Sequence, residues 1–311
     1  MKKGLISLLV TVVMLAAGLA QMPQAAELKT FTITSGPLGG DFYALGGVIG
    51  EAARGVMPGT TVSVNTGGSV ENLLKIDAGK ADLGTSMIKL YEESLKAEGV
   101  FASRKPVQNV KIMMYVAPMP MSFFLVRADS PYTSIADIAS TKPKIRLLLK
   151  QYGFSFEDIK EWGGSVSYVS YAEASSLIQD GHADAYVGPI VSSINELITT
   201  VKMKMLPIDQ AVLDKLSSDG YMTYTIKAGQ YYFITKDTPH MAETVVLPVG
   251  ANLPDDAVYA LTKVLCEKPE MIRNVHQTYS VFDPSKSADH IAVQYIHPGA
   301  LRYYKEKGWV K

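Results

Sequence analysis

The stretch TVSVNTGGSVENLLKIDAGKADLGTS, residues 61–86, narrows the folds open to this chain more than any other. Val62 and Val64 alternate with polar neighbours as in a half-buried strand, and Thr66, Gly67 and Gly68 interrupt it. Ser69 then stands at the N-cap position of a helix that carries Val70, Leu73, Leu74 and Ile76. Gly79 ends this helix as a left-handed C′ residue, and residues 81–86 (ADLGTS) return as the next strand. The product is one complete βαβ unit. A helix N-terminus behind two glycines presents unpaired backbone N–H groups and the positive end of the helix dipole, which suits an anionic group such as a carboxylate. The same glycines are equally compatible with a tight βα turn that serves packing alone.

A second strand, glycine loop and helix stands directly ahead of the first. Phe31 and Ile33 alternate in TFTITS, residues 35–40 (SGPLGG) form a loop, and Phe42, Leu45, Val48, Ile49 and Ala52 share one helical face. Two such units in series predict an α/β fold with a parallel, right-handed, doubly wound sheet whose loops at the strand carboxyl ends face one crevice. Neither loop has nucleotide-binding spacing: Gly36, Gly39 and Gly40 do not make G-x-G-x-x-G, and no Gly-Lys-Ser/Thr follows. Tyr43, just inside the first helix, has a hydroxyl and a ring to offer either a ligand or surface packing.

The 311 residues, 47% of them hydrophobic, suffice for about two domains, and the formal net charge of +0 carries no electrostatic footprint for nucleic acid. The five histidines are scattered, and Cys266 stands alone, so neither a metal site nor an internal disulfide is expected. No cofactor is implied. At the N-terminus, Lys2 and Lys3 precede an apolar run from Leu5 to Ala20, followed by small residues and Pro23 before Glu27. This order predicts a secretory signal peptide over residues 1–26, cleaved after Ala20, Ala25 or Ala26. A retained membrane anchor is the alternative, although the run is short for a bilayer span. No later segment reaches about 18 uninterrupted apolar residues, so the mature chain is expected to be soluble.

The second half repeats the grammar of the first. Residues 167–169 read as a strand, Ser170 as a cap, residues 172–179 as a helix stopped near Gly181, and residues 183–188 (ADAYVG) as the next strand. Ile76-Asp77-Ala78-Gly79-Lys80-Ala81-Asp82 and Ile178-Gln179-Asp180-Gly181-His182-Ala183-Asp184 both close a helix with Gly-x-Ala-Asp and start a strand. This echo predicts two lobes of related build with a crevice between them. Met113, Met114, Met119 and Met121 cluster about Pro118 and Pro120 and are read as core filling near a crossover between the lobes. Residues 244–249 read as a strand back in the first lobe, Pro254 with Asp255 and Asp256 opens a helix that Pro269 ends, and Cys266 in its last turn is read as packing. No linker or low-complexity run breaks the chain, so the lobes are discontinuous in sequence.

Taken together, SGPLGGDFYALGG (35–47), NTGGSVENLLKIDAGKADLG (65–84), ADAY (183–186), LPDDAVYALTKVL (253–265) and HPGALRYYKEKGW (297–309) resemble a known family. It is that of the TAXI-type solute-binding subunits of tripartite ATP-independent periplasmic (TRAP) transporters, and the likeness covers the chain from about Leu28 to Trp309. The resemblance implies a two-lobed type II periplasmic binding protein fold with a central ligand cleft, built from residues 27–118 and 232–311 as lobe one and 119–231 as lobe two. It also implies a periplasmic, monomeric capture protein that closes on a small organic acid or an amino acid such as glutamate and delivers it to a membrane permease without catalysis. By position, the ligand loops would be Gly39, Gly40 and Tyr43, then Thr66, Gly67, Gly68, Ser69 and Asn72. The strand ends Thr85, Ser86 and Met87 in lobe one and Tyr186, Gly188 and Pro189 in lobe two would complete the site.

Two departures stand out. Met87 replaces a polar residue common in the family. After Ser134-Ile135-Ala136-Asp137-Ile138, the chain runs from residues 139–143 (ASTKP) into a segment, residues 145–152, that reads as helix, where the family has a strand, a Gly/Ser-rich loop and a helix start. Lobe two is therefore expected to be shortened, and the ligand to be a less polar monocarboxylate held mainly by lobe one, because each lost charge-assisted hydrogen bond is worth roughly 1.5–3 kcal/mol. The same fold also suits a ligand sensor or scaffold for a membrane receptor kinase. An enzyme is disfavoured, since no G-x-S-x-G elbow or neighbouring His and nucleophile pair appears.

Overall fold

Alternating apolar residues set the centre of the first sheet. The computed structural model describes residues 28–121, 123–135, 137–138, 146–149, 160–161, 163–218 and 220–311. In β1 (Thr30–Thr34), Phe31 and Ile33 are buried. The loop that follows leads into α1 (Asp41–Val56), which buries Leu45, Ile49 and Ala53 on one face, as the 3.6-residue period requires. Next come β2 (Thr61–Asn65), α2 (Ser69–Asp77) and the short strands β3 (Leu83–Gly84) and β4 (Ser86–Met87). β1 pairs in parallel with both β2 and β3, so the first two βα units are wound as the sequence predicts. Gly79 has φ +68°, the left-handed conformation expected where α2 ends. After α3 (Ile88–Lys96), the long strand β5 (Val110–Pro120) leads out of this lobe.

The second sheet is built from β6 (Phe123–Arg127), β7 (Arg146–Leu149), β8 (Ser165–Tyr168), β9 (Ala185–Gly188) and β10 (Met203–Leu206) in the order β10-β6-β9-β7-β8. The helices α4 (Tyr171–Gln179), α5 (Ser192–Thr200) and α6 (Gln210–Ser218) accompany it. β7 corrects the sequence reading. Residues 146–149 form a strand, not a helix, and pair in parallel with both β8 and β9, as β1 does with β2 and β3. Leu147, Leu148 and Leu149 show no period-2 alternation, and so short an apolar run cannot be told from a helix by periodicity alone. The strand thought to be missing from lobe two is thus present. The flanking residues 139–145, on which the expectation of a shortened lobe also rested, lie outside the described residues, as do residues 1–26.

The chain returns through β11 (Met222–Ile226) and β12 (Thr238–Gly250). β11, placed by sequence in lobe two, pairs antiparallel with the start of β12 and so belongs to the first sheet, whose main path is β11-β12-β3-β1-β2. β12 also pairs with β5 along nine positions, from Ala242 with Pro120 to Gly250 with Val110. Lobe one closes with α7 (Asp255–Glu267), α8 (Glu270–Arg273) and α9 (Pro298–Glu306). Cys266 is buried, and burial pushes its thiol up to about 12, in keeping with a packing role. The β5–β6 crossover and the start of β12 meet at His240. Burial pushes this imidazole down to about 4, and its neutral ring donates from Nε2 to the Met121 carbonyl at 2.7 Å.

Asn72 fixes the ends of three strands against one another. Its fully buried amide nitrogen donates to the Ser35 carbonyl at 2.7 Å and the Thr85 carbonyl at 2.8 Å, and its oxygen accepts from the Thr34 hydroxyl at 2.8 Å. A Cβ on Gly67 would overlap Asn72 Oδ1 and lie 2.6 Å from Thr34 Oγ1, so this close approach requires glycine. Asn72→Ala would strand two buried carbonyls and is expected to cost about 2–4 kcal/mol in urea denaturation.

A second expectation concerns Glu243, partly buried on β12 near Lys89 and Glu93. Burial pushes its carboxyl up from 4.5 to about 7, against the opposing pull of Lys89. Between those values the folded chain keeps a proton that the unfolded chain releases, so stability falls as pH rises through this window. Glu243→Gln should therefore raise the calorimetric Tm at pH 8, by on the order of 1–3 kcal/mol of stability, and match the parent at pH 4.

Candidate functional site

The loops after β1, β2 and β4 open toward the starts of α4 and α5, and a cavity of about 280 Å³ lies between them. Lobe one contributes Gly36, Pro37, Gly40, Asp41 and Phe42 from the first loop and α1, and Gly67, Gly68 and Ser69 from the second loop. Met87 precedes α3, and Met119 and Met121 line the cavity from the crossover. Lobe two adds Tyr171, Pro189 and Val191. Such a volume lies at the small end of ligand pockets.

Five helices begin at this cavity. The N-cap residues Gly40 of α1, Gly68 of α2, Met87 of α3 and Val191 of α5 all line it, and none supplies a side-chain cap. α4 differs, because the Ser170 hydroxyl accepts from the Glu173 N–H at 3.2 Å. The first N–H groups of an uncapped helix lack intrahelical acceptors, and they carry the positive end of the dipole. No Lys, Arg or His lines the cavity among the described residues, so recognition of an anion there falls to backbone N–H groups.

The sequence placed Ser69 at the N-cap of α2. The structure assigns that place to Gly68, with extended backbone at φ −153° and ψ 154°, and makes Ser69 the first helical residue. The Ser69 carbonyl accepts from the Ser86 hydroxyl at 3.1 Å. A glycine cap has no side-chain oxygen to satisfy the helix donors, and they remain open toward the cavity.

Asp41 is the acidic group of the cavity wall and is 3% exposed. Its Oδ1 accepts from the Ser192 hydroxyl of α5 at 3.3 Å, and its Oδ2 lies 3.2 Å from His276 Nδ1. Burial raises its pKa, and His276 and the Ser192 hydroxyl and N–H oppose that rise. Tyr231 and Tyr279 also face this carboxylate, which adds to the upward push that burial gives their phenols.

Of the residues singled out from sequence, the structure brings Gly40, Gly67, Gly68, Ser69, Met87 and Pro189 together on the cavity. Asn72, Thr85 and Ser86 are buried behind it and brace the loops. The Tyr186 hydroxyl donates to the Pro189 carbonyl at 2.7 Å, and its ring packs under Gly188, so both residues shape the lobe-two wall from behind. Gly39, Tyr43 and Thr66 stand off the cavity; Gly39 has φ +77° and turns the loop into α1.

Sequence reasoning passed over Asp41, Phe42, Tyr171 and Val191, and read Met119 and Met121 as core. Met119 and Met121 are at most 5% exposed, as core residues are, yet the cavity reaches them. A signal for Tyr171 and Val191 was available, since each stands at the start of a helix behind a strand of the repeated βα pattern. Among the described residues no group of three His, Cys, Asp or Glu is placed to hold a metal ion.

Two solved structures share this architecture. One, described as a periplasmic transporter, has a TM-score of 0.50 at 12% identity, with 91% of this chain and 96% of that one covered. The other, the periplasmic binding protein BugD, has a TM-score of 0.52 at 14% identity, with 90% and 94% covered. At such identities the likeness establishes the shared two-lobed fold. Residues 33–308, nearly the whole described chain, match the NMT1-like family, and the chain belongs to that family.

Proposed function

We propose that this chain is an extracytoplasmic solute-binding protein, exported by a signal peptide in residues 1–26. In this reading it captures a small carboxylate between its lobes and passes it to a TRAP-type permease, as the TAXI resemblance implies. The observation that carries the reading is the meeting of uncapped N-termini of α1, α2 and α3 on one small cavity whose wall also includes Phe42, Met119, Met121 and Pro189. Backbone N–H groups would hold the carboxylate, and the methionine and aromatic wall would hold an apolar remainder. This arrangement supports binding, because its open donors are backbone N–H groups, which hold a ligand group without giving up a proton to it. A ligand held by both walls binds the closed arrangement more tightly than the open one, and that difference turns capture into lobe closure.

A thermal-shift screen of the mature chain against aliphatic and aromatic monocarboxylates, dicarboxylates and amino acids tests the proposal. A ligand at 100 times its Kd adds about 2.7 kcal/mol of apparent stability, several degrees in a chain of this size. At least one carboxylate should give such a shift, and silence across the panel would overturn the reading. Ser69→Asp places a carboxylate at the open end of α2. It should preserve or slightly raise the ligand-free Tm through the helix dipole, and abolish the shift produced by the carboxylate.

A further inference from the structure

Asp41 lies between two helix N-termini that belong to different lobes. It is the first residue of α1, and its carboxylate reaches across the cleft to the first residue of α5, Ser192, whose hydroxyl donates to it and whose N–H also favours its charge. His276 in the last third of the chain approaches the other carboxylate oxygen at 3.2 Å. A buried carboxylate is costly to hold without partners, and here Ser192 of lobe two donates to one oxygen while His276 of lobe one stands beside the other. Helix α5 has no side-chain cap of its own, so the cap it lacks is supplied by the opposite lobe.

We propose that Asp41 is the closing residue of this protein: its carboxylate takes the place at the lobe-two helix end that a second ligand carboxylate would otherwise fill. Of the five helix ends at the cavity, α4 is capped by Ser170 and α5 by Asp41, which leaves the open N–H groups of α1, α2 and α3, all in lobe one. The inference rests on the binding-protein reading and adds two statements to it. The lobes can close without a ligand that bridges them by charge, and the ligand carries one carboxylate, since a second would meet Asp41. The preference for a monocarboxylate, expected from sequence on the ground of a missing strand, is thereby placed on a different footing.

The test needs no ligand. Spin labels at Lys80→Cys and Gln179→Cys, exposed positions at the far ends of α2 and α4, report the distance between lobes, and the buried Cys266 thiol does not compete for label. In the ligand-free protein, electron–electron double resonance should give a predominantly short distance. Ser192→Ala, which removes one exposed hydroxyl, and Asp41→Asn, which keeps the shape, should each move the distribution toward longer distances, and Asp41→Ala should move it furthest. Unchanged distributions in all three variants would overturn the proposal, even where Asp41→Ala lowers Tm, because a merely local cap would affect stability and not lobe separation. This outcome is independent of the thermal-shift screen, so the latch and the binding reading can fail separately.

Discussion

The hydrogen bonds of the Asn72 side chain are the constraint on which the site depends. Three bonds from one buried amide hold the end of β1, the junction of β3 and β4, and the start of α2 in register. With those ends fixed, the two glycine loops are held side by side, and the Gly67 N–H reaches the Gly36 carbonyl of the neighbouring loop at 3.4 Å. The cavity is therefore an indirect product of a residue that never touches it. The requirement for glycine at position 67 is the steric face of the same constraint, since the loop passes too close to Asn72 for any side chain.

Around this fixed point the two lobes repeat one plan. The order β2-β1-β3-β12 in lobe one matches β8-β7-β9-β6 in lobe two, with three parallel strands and one antiparallel strand in each. Helix starts consequently face the cleft from both sides. The lobes differ in how those starts are finished: lobe one leaves them open, whereas lobe two has one closed by Ser170 and one by Asp41. This asymmetry gives the cleft a polar side and a closing side.

Much of this was legible in the sequence. The strand, turn and helix periods of both βα units, the Gly79 and Gly181 helix ends and the Ser170 cap are local signals, and each stands where expected. The repeated Gly-x-Ala-Asp marked matching points of the two lobes, before β3 and before β9. What was not legible depends on distance or on context. The apolar run of β7 has no period to tell strand from helix, and the Ser69 reading was off by one residue because a glycine can serve as N-cap. The Asp41 contact with Ser192 spans 151 positions, and nothing near either residue announces the other. Met119 and Met121 are as buried as any core methionine, so only the cavity shows that they face it.

The pairing of β5 with β12 has a consequence for the life of the chain before it is folded. Lobe two can assemble from one continuous run of residues, whereas lobe one lacks the partner for β5 and β3 until residues 238–250 are available. Such long-range strand pairing is slow to form. The half of the protein that carries the open helix ends thus completes its sheet last, after lobe two has all of its own strands.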